Sequence, residues 1–169
     1  SINYREAYGI FASTGILFNH ESPRRGANFV TKKIVKGLIR IKLGKQKHLL
    51  LGNLNAKRDW GHAKDYVEAM WLMMQNDIPN DFVISTGETY SVKYFVEKSA
   101  KYFGFDIIWK GSGLDEVGIN KNTNKEIIKI SKDFYRPAEV DLLIGDSAKI
   151  KNSLDWSPKI KIDELITMM

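Results

Sequence analysis

Runs of strand length alternate along this chain with stretches whose apolar residues recur at helical spacing. Ile10–Phe18 is apolar, with Ser13, Thr14 and Gly15 inside it, and predicts a buried strand packed closely against its neighbours. A helical pattern, Asn3–Ala7, precedes it. After the polar loop Asn19–Ala27, the residues Val30, Ile34, Leu38 and Ile41 mark one face of a helix that Gly44 ends. His48–Leu51 predicts a short strand and Arg58–Trp60 another extended piece. Ala63, Val67, Met70 and Met74 form the apolar stripe of a further helix, with the methionines expected as core filler. Phe82–Ser85 predicts a strand, and Ser91 caps a helix carrying Val92, Phe95, Val96, Ser99 and Phe103 that Gly104 ends. Phe105–Trp109 and Glu126–Ser131 predict two more strands, separated by Gly111–Lys125, whose Gly and Asn content predicts a flexible excursion. Asp146 and Asp163 cap two short helices. Such alternation without an internal repeat restricts the fold to an α/β or α+β arrangement.

With 169 residues the chain has one domain's worth of length, and a domain of this size buries roughly 70% of its unfolded surface without help from disulfides or metal. Cysteine is absent, which excludes thiol catalysis and cysteine-ligated zinc. The histidines His20, His48 and His62 have no spacing that sets two on one helical face, so no metal site is expected. The stretch Tyr66–Met74 contains Glu68 and is far shorter than the roughly 20 residues of a membrane span. No secretory signal opens the chain, so no membrane partner and a cytoplasmic location are expected.

Charge is unevenly spread. The net charge is +6, yet Arg24–Lys64 holds twelve basic residues against one acid, Asp59, which leaves this quarter of the chain at +11 and the rest at −5. An anionic partner suits that segment, whether small-molecule phosphate, nucleic acid or membrane surface. Lys36, Arg40, Lys42, Lys45 and Lys47 equally fit a solvated helix face. A basic nucleic-acid-binding module is a distant alternative, disfavoured because no reader motif is present and most aromatics fall on expected core stripes.

Two apparent motifs carry little. Gly111-Ser112-Gly113 has its third glycine at Gly118 and no helical pattern after it, unlike a dinucleotide-binding loop. Tyr94 and Lys98 have the spacing of an acid/base pair in which lysine lowers the tyrosine pKa, but both lie off the apolar stripe of their helix, where neighbours one turn apart are ordinary.

Three segments are more specific: Gly15-Ile-Leu-Phe-Asn-His-Glu-Ser-Pro-Arg-Arg-Gly26, Gly52-Asn-Leu-Asn-Ala-Lys-Arg-Asp-Trp-Gly-His-Ala-Lys-Asp65, and Tyr135-Arg-Pro-Ala-Glu-Val-Asp141 with the later Gly145-Asp146 and Trp156-Ser-Pro158. Together they resemble the GDP-mannose 4,6-dehydratases, of the extended short-chain dehydrogenase/reductase superfamily, over about Tyr4–Glu164. The resemblance implies an α/β chain that corresponds to the C-terminal half of such an enzyme, contributing edge strands of the Rossmann-like sheet and the smaller α/β substrate-binding domain. Residues 1–27 would close the NADP-binding domain, and 28–169 would be mainly substrate-binding domain with short returns to the nucleotide-binding sheet. The family's glycine-rich cofactor loop and its catalytic Thr, Glu, Tyr and Lys precede the strand matched by Ile10–Phe18, so no catalytic residue is expected here.

The reaction implied is redox-neutral. Hydride leaves the sugar C4 for NADP, water is lost across C5 and C6, and hydride returns to C6, giving GDP-4-keto-6-deoxymannose on the way to GDP-fucose or another GDP-deoxyhexose. GDP-heptose 4,6-dehydratase, or another nucleotide-sugar epimerase or dehydratase, is the alternative within the superfamily. By match to family positions, His20, Arg24 and Arg25 would bind NADP, an arginine fork suiting the 2′-phosphate. Asn19, Asn28, Val30, Lys33, Gly52, Asn53, Arg58, Arg136 and Glu139 would bind GDP-mannose or a related GDP-sugar. Of these, Asn19 also fits a turn cap, Lys33 sits where helix N–H groups favour an anion, and Arg58 with Arg136 would clamp the diphosphate. Ion pairing to Asp59 or Asp65 is the plainer alternative for Arg58, and His62 is expected to position the next helix. Partners implied are a homo-oligomer, tetramer or dimer, and the missing N-terminal half.

Overall fold

The computed structural model describes residues 1–135, 138 and 140–169; the expected ligand contacts Arg136 and Glu139 therefore lie outside the described residues. In chain order the first elements are α1 (Ile2–Tyr8), β1 (Thr14–Leu17), β2 (Asn19–Glu21), α2 (Val30–Lys42), β3 (Leu49–Leu51), β4 (Lys57–Arg58), β5 (Trp60–His62) and α3 (Ala63–Gln75). There follow β6 (Asp81–Ile84), β7 (Tyr90–Ser91), α4 (Val92–Tyr102), β8 (Ile107–Lys110), β9 (Val117–Asn120), β10 (Lys125–Ile130), α5 (Ala148–Leu154) and α6 (Ile162–Met168). The chain divides into two compact units, one of residues 1–22, 59–89 and 143–165, the other of 23–58, 90–142 and 166–169.

In the first unit β1 pairs in parallel with β6, Thr14 opposite Asp81 and Leu17 opposite Ile84, and β2 pairs in parallel with β5. Side chains alternate along a strand, so Gly15, Leu17, Phe82 and Ile84 share one face of the β1–β6 sheet. That face is the core, where Phe82 and Ile84 pack with Tyr66, Ala69 and Met73 of α3, Ile150 of α5, and Trp156. The opposite face presents Ile16, which is 54% exposed. Arg5 of α1 bonds Asp81 at 3.0 and 3.3 Å, and that bonding holds the Asp81 carboxyl below its ordinary pKa. Buried Asp59 joins three points of the backbone: it accepts from the Thr86 N–H (2.9 Å) and hydroxyl (2.6 Å), the Gly87 N–H (2.9 Å) and the Gly145 N–H (3.3 Å). Burial, with Asp59, Asp65 and Glu21 nearby, raises the Tyr66 phenol well above its ordinary pKa.

The second unit is built on a four-stranded sheet in the order β3-β10-β9-β8, parallel between β3 and β10 and antiparallel elsewhere. Helices α2 and α4 pack on each other, α2 on β3 and α4 on β8, with Ile34, Leu38, Phe95 and Val96 fully buried. A short antiparallel ribbon pairs Lys57 with Ser91 and Arg58 with Tyr90.

The two helices α2 and α4 follow the expected patterns. Gly44 and Gly104 close them at φ of 68° and 84°, the Ser91 hydroxyl accepts from the Tyr94 N–H at 3.0 Å, and the Asp146 carboxylate accepts from the Ala148 N–H at the start of α5. Elsewhere the structure corrects the sequence reading. The strand expected over Ile10–Phe18 is confined to Thr14–Leu17, with Ile10 and Phe11 48% and 42% exposed, because β6 runs alongside only from Thr14 onward. Arg58–Trp60 is not one piece: it breaks at Asp59, with Lys57–Arg58 pairing β7 and Trp60–His62 pairing β2. The excursion expected over Gly111–Lys125 contains β9, a central strand whose Gly118 lies against Trp109 and Ile128 so closely that a side chain there would come within 3 Å of both. The α3 stripe is also displaced. Tyr66, Ala69 and Met73 face the core, whereas Val67, Met70 and Met74 are exposed. Tyr94 and Lys98 lie off the buried face of α4, the ammonium 5.2 Å above the ring. No helix among the described residues is long and apolar enough to cross a membrane.

Candidate functional site

The entrance to α2 organises a cleft of about 350 Å³ in the second unit, lined by Asn28, Phe29, Val30, Lys33, Leu51, Gly52, Asn53, Arg58, Val92 and Phe134. It brings together six of the positions read from the sequence as substrate contacts: Asn28, Val30, Lys33, Gly52, Asn53 and Arg58. Each arrives by a different local device. Phe29 begins α2 with no side-chain cap, so the helix presents uncapped N–H groups and the positive end of its dipole toward the cleft. Lys33 is one turn further on, half-buried, its ammonium 3.1 Å above the Phe134 ring, and burial lowers its pKa. β3 delivers Gly52, and Asn53 turns the chain by accepting from the Asn55 N–H at 2.9 Å. The β4–β7 ribbon delivers Arg58, whose guanidinium donates to the carbonyls of Lys57 (2.8 Å) and Val140 (2.7 Å).

The carboxylates weighed as counter-ions for Arg58 each have backbone donors of their own. The Asp59 carboxylate is taken up by Thr86, Gly87 and Gly145, and the Asp65 carboxylate accepts from the Lys159 and Ile160 N–H groups at 3.0 Å. A second cleft of about 370 Å³ shares Lys33 and Phe134 and adds Lys36, Arg40 and His48, so positive charge extends along the α2 side. Chemically the arrangement suits a phosphorylated ligand: fixed cations and helix N–H groups for oxygens, with aromatic rings for an apolar portion.

The other expected contacts are not among the residues that line this cleft. Arg25 stacks its guanidinium 3.5 Å over the Phe29 ring, beside exposed Arg24. Asn19 and His20 lie on β2 in the first unit, His20 with Nδ1 2.9 Å from the Phe18 carbonyl and its ring 5.4 Å from Tyr66. His62 caps α3, its Nδ1 accepting from the Lys64 N–H, the positioning role expected for it. The sequence reading missed Phe29, Leu51, Val92 and Phe134 as cleft residues. Val92 and Leu51 read as core, and only the position of Phe134, two residues before an Arg-Pro pair, pointed toward a ligand.

The fold is that of the extended short-chain dehydrogenase/reductases. Its solved likenesses include RMD from Pseudomonas aeruginosa complexed with NADPH (TM-score 0.77, 16% identity, 99% of this chain and 49% of that one). They also include a UDP-glucose 4-epimerase with UDP-glucose from Thermotoga maritima (TM-score 0.73, 21% identity, 99% and 47%). A dTDP-glucose 4,6-dehydratase from Bacillus anthracis in complex with NAD is similarly alike (TM-score 0.74, 17% identity, 98% and 45%). Sequence narrows the class. The chain belongs to the GDP-mannose 4,6 dehydratase family, whose family model matches residues 1–169. It is 58% identical to the GDP-mannose 4,6 dehydratase of Homo sapiens over 168 residues, and 48% identical to that of Vibrio cholerae over 178. The chain spans about half the length of the curated relatives it matches, 45% and 48% in these two cases.

Proposed function

We propose that this chain supplies the GDP-sugar-binding part of an NADP-dependent GDP-mannose 4,6-dehydratase, and that the complete protein works as a cytoplasmic homo-oligomer. The observation that carries the reading is the convergence of Asn28, Val30, Lys33, Gly52, Asn53 and Arg58 on one cleft at an uncapped helix entrance. On this reading Arg58, with Arg136, binds the diphosphate, Lys33 and the first N–H groups of α2 take the remaining phosphate oxygens, and Glu139 accepts from ribose hydroxyls. Asn19 serves the phosphate or sugar. The second unit is the substrate-binding domain, and the first carries the edge strands of the nucleotide-binding sheet.

For the cofactor, Arg24, Arg25 and His20 are the residues that would hold NADP. The Arg25 guanidinium lies over the Phe29 ring, and its planar fork suits the oxygens of a phosphate. When bound, the nicotinamide supplies a recycled hydride acceptor.

Calorimetry with GDP tests the substrate reading. The chain is expected to bind GDP and not single-stranded oligonucleotide. Arg58→Ala is expected to weaken GDP at least about tenfold, since charge-assisted bonds are each worth about 1.5–3 kcal/mol, while leaving the melting temperature unchanged. Equal GDP affinity in the variant, or preference for the oligonucleotide, sinks the assignment. Incubated with GDP-mannose and NADP, the 169-residue chain is expected to form no 4-keto-6-deoxy product. Elimination needs an acid/base pair beside the sugar, and Tyr94 and Lys98, one turn apart off the buried face of α4, do not line the cleft. Accumulation of product would show that the active site lies within these residues after all.

A further inference from the structure

The packed pair α2 and α4 also borders a second kind of space. A cavity of about 230 Å³ lies beside it in the second unit, bounded by Val35 and Ile39 of α2, by Ser99 of α4 with Phe103 just after it, and by Ile166 of α6. Its floor is dry protein: Val35, Ser99 and Ile166 are 3%, 1% and 7% exposed. Its mouth is open to solvent, with exposed Ile39 and Tyr102 on the rim. No side chain that lines it carries a charge.

Ser99 decides what kind of molecule fits. A serine inside a helix commonly turns its hydroxyl back to the carbonyl of the preceding turn. The Ser99 Oγ does not: it is buried and has no hydrogen-bond partner among the described residues. A buried hydroxyl left unmatched is unfavourable, and alanine would fill the position without that cost. Water is a poor match, because it needs about two to four polar partners and the buried floor offers one side-chain hydroxyl. Size points the same way. An apolar cavity of about 150 Å³ holds a benzene molecule, so this larger one has room for a ring together with a polar substituent.

We infer that the cavity between α2 and α4 is a binding site for a small neutral molecule, an apolar body about the size of one ring bearing a single hydroxyl, which forms a hydrogen bond with Ser99. The site is separate from the nucleotide cleft, with which it shares no lining residue. It stands independently of the activity proposed above.

Calorimetric titration of the 169-residue chain with phenol, and with benzene for comparison, tests the inference. Phenol is expected to bind saturably, one molecule to a chain, with a Kd of about 1 mM or tighter, more tightly than benzene, and saturating GDP is expected not to displace it. Ser99→Ala removes the hydroxyl, adds no volume and favours the helix. It is expected to bind benzene as the wild type does and to lose about fivefold in affinity for phenol, the worth of one net hydrogen bond. Ile39→Phe adds bulk at the exposed rim, where the fold tolerates it, and is expected to weaken both ligands at least about tenfold by occupying the space. Absence of saturable phenol binding, displacement of phenol by GDP, an unchanged preference for phenol over benzene in Ser99→Ala, or unchanged affinities in Ile39→Phe would each overturn the inference. Failure of GDP to bind while phenol still does would count against the proposed function and leave this site standing.

Discussion

Replacing Asp59 with alanine is expected to lower the melting temperature by about 10 °C or more, the largest effect of any single substitution described for this chain. Asp59 is fully buried, and its two oxygens accept from the Thr86 N–H, the Thr86 hydroxyl, the Gly87 N–H and the Gly145 N–H. Alanine removes the acceptor from all of these donors, at about 1–3 kcal/mol for each group that water cannot reach, the Gly145 N–H being the buried one, and opens a void where the carboxylate sat. A total of about 3–5 kcal/mol is the scale seen when one partner of a buried charged network is removed, and each kcal/mol moves a protein of this length by about 2–4 °C. Asp59→Asn keeps one acceptor oxygen but brings an NH₂ against backbone N–H groups, so an intermediate loss is expected. Thermal unfolding followed by circular dichroism checks both. A shift under about 2 °C for alanine would mean that water replaces the carboxylate, and the structural role assigned to Asp59 would fail.

Gly52→Ala is expected to cost about 10- to 100-fold in GDP affinity. A Cβ at Gly52 would stand 2.0 Å from the Phe134 carbonyl oxygen and 2.7 Å from its carbon, and this obstacle is backbone, so no side-chain rotation relieves it. The segment cannot simply swing away, because the Ser131 N–H donates to the Leu51 carbonyl at 2.8 Å. Overpacking of this kind costs about 1–3 kcal/mol, and the strain falls on the cleft: Phe134 carries the ring beneath the Lys33 ammonium. Moving it shifts a wall and frees a cation together. Calorimetric GDP affinity within a factor of about three of the wild type would show that the cleft does not depend on this contact.

Much of the fold was legible in the sequence because local chemistry decided it. Helices α2 and α4 follow from apolar spacing, from the Ser91 cap and from glycines that accept positive φ at Gly44 and Gly104, all of which act within a few residues of where they are read. The cleft was legible for a different reason. Lysine, arginine, asparagine and glycine around Asn28–Lys33 and Gly52–Arg58 matched a family pattern, and the fold brings those two segments together around α2, β3 and β4.

Tertiary structure decided whatever depended on a distant partner. Which side of α3 is buried could not be read, because both sides are apolar and only packing against Phe82, Ile84 and Trp156 selects Tyr66, Ala69 and Met73. β9 was invisible because Gly and Asn are loop residues by local preference; Gly118 is a strand residue only because Trp109 and Ile128 close in on both sides. The length of β1 was set by where β6 begins to run beside it. Asp59 and Asp65, read as possible counter-ions for Arg58, also accept from backbone donors far along the chain at Gly145 and Lys159. Sequence by itself determined the periodicities, the caps and the residue types that line the cleft; the choice among equally apolar faces, and the partner of each buried charge, came from contacts between residues tens of positions apart, whose energies no local pattern encodes.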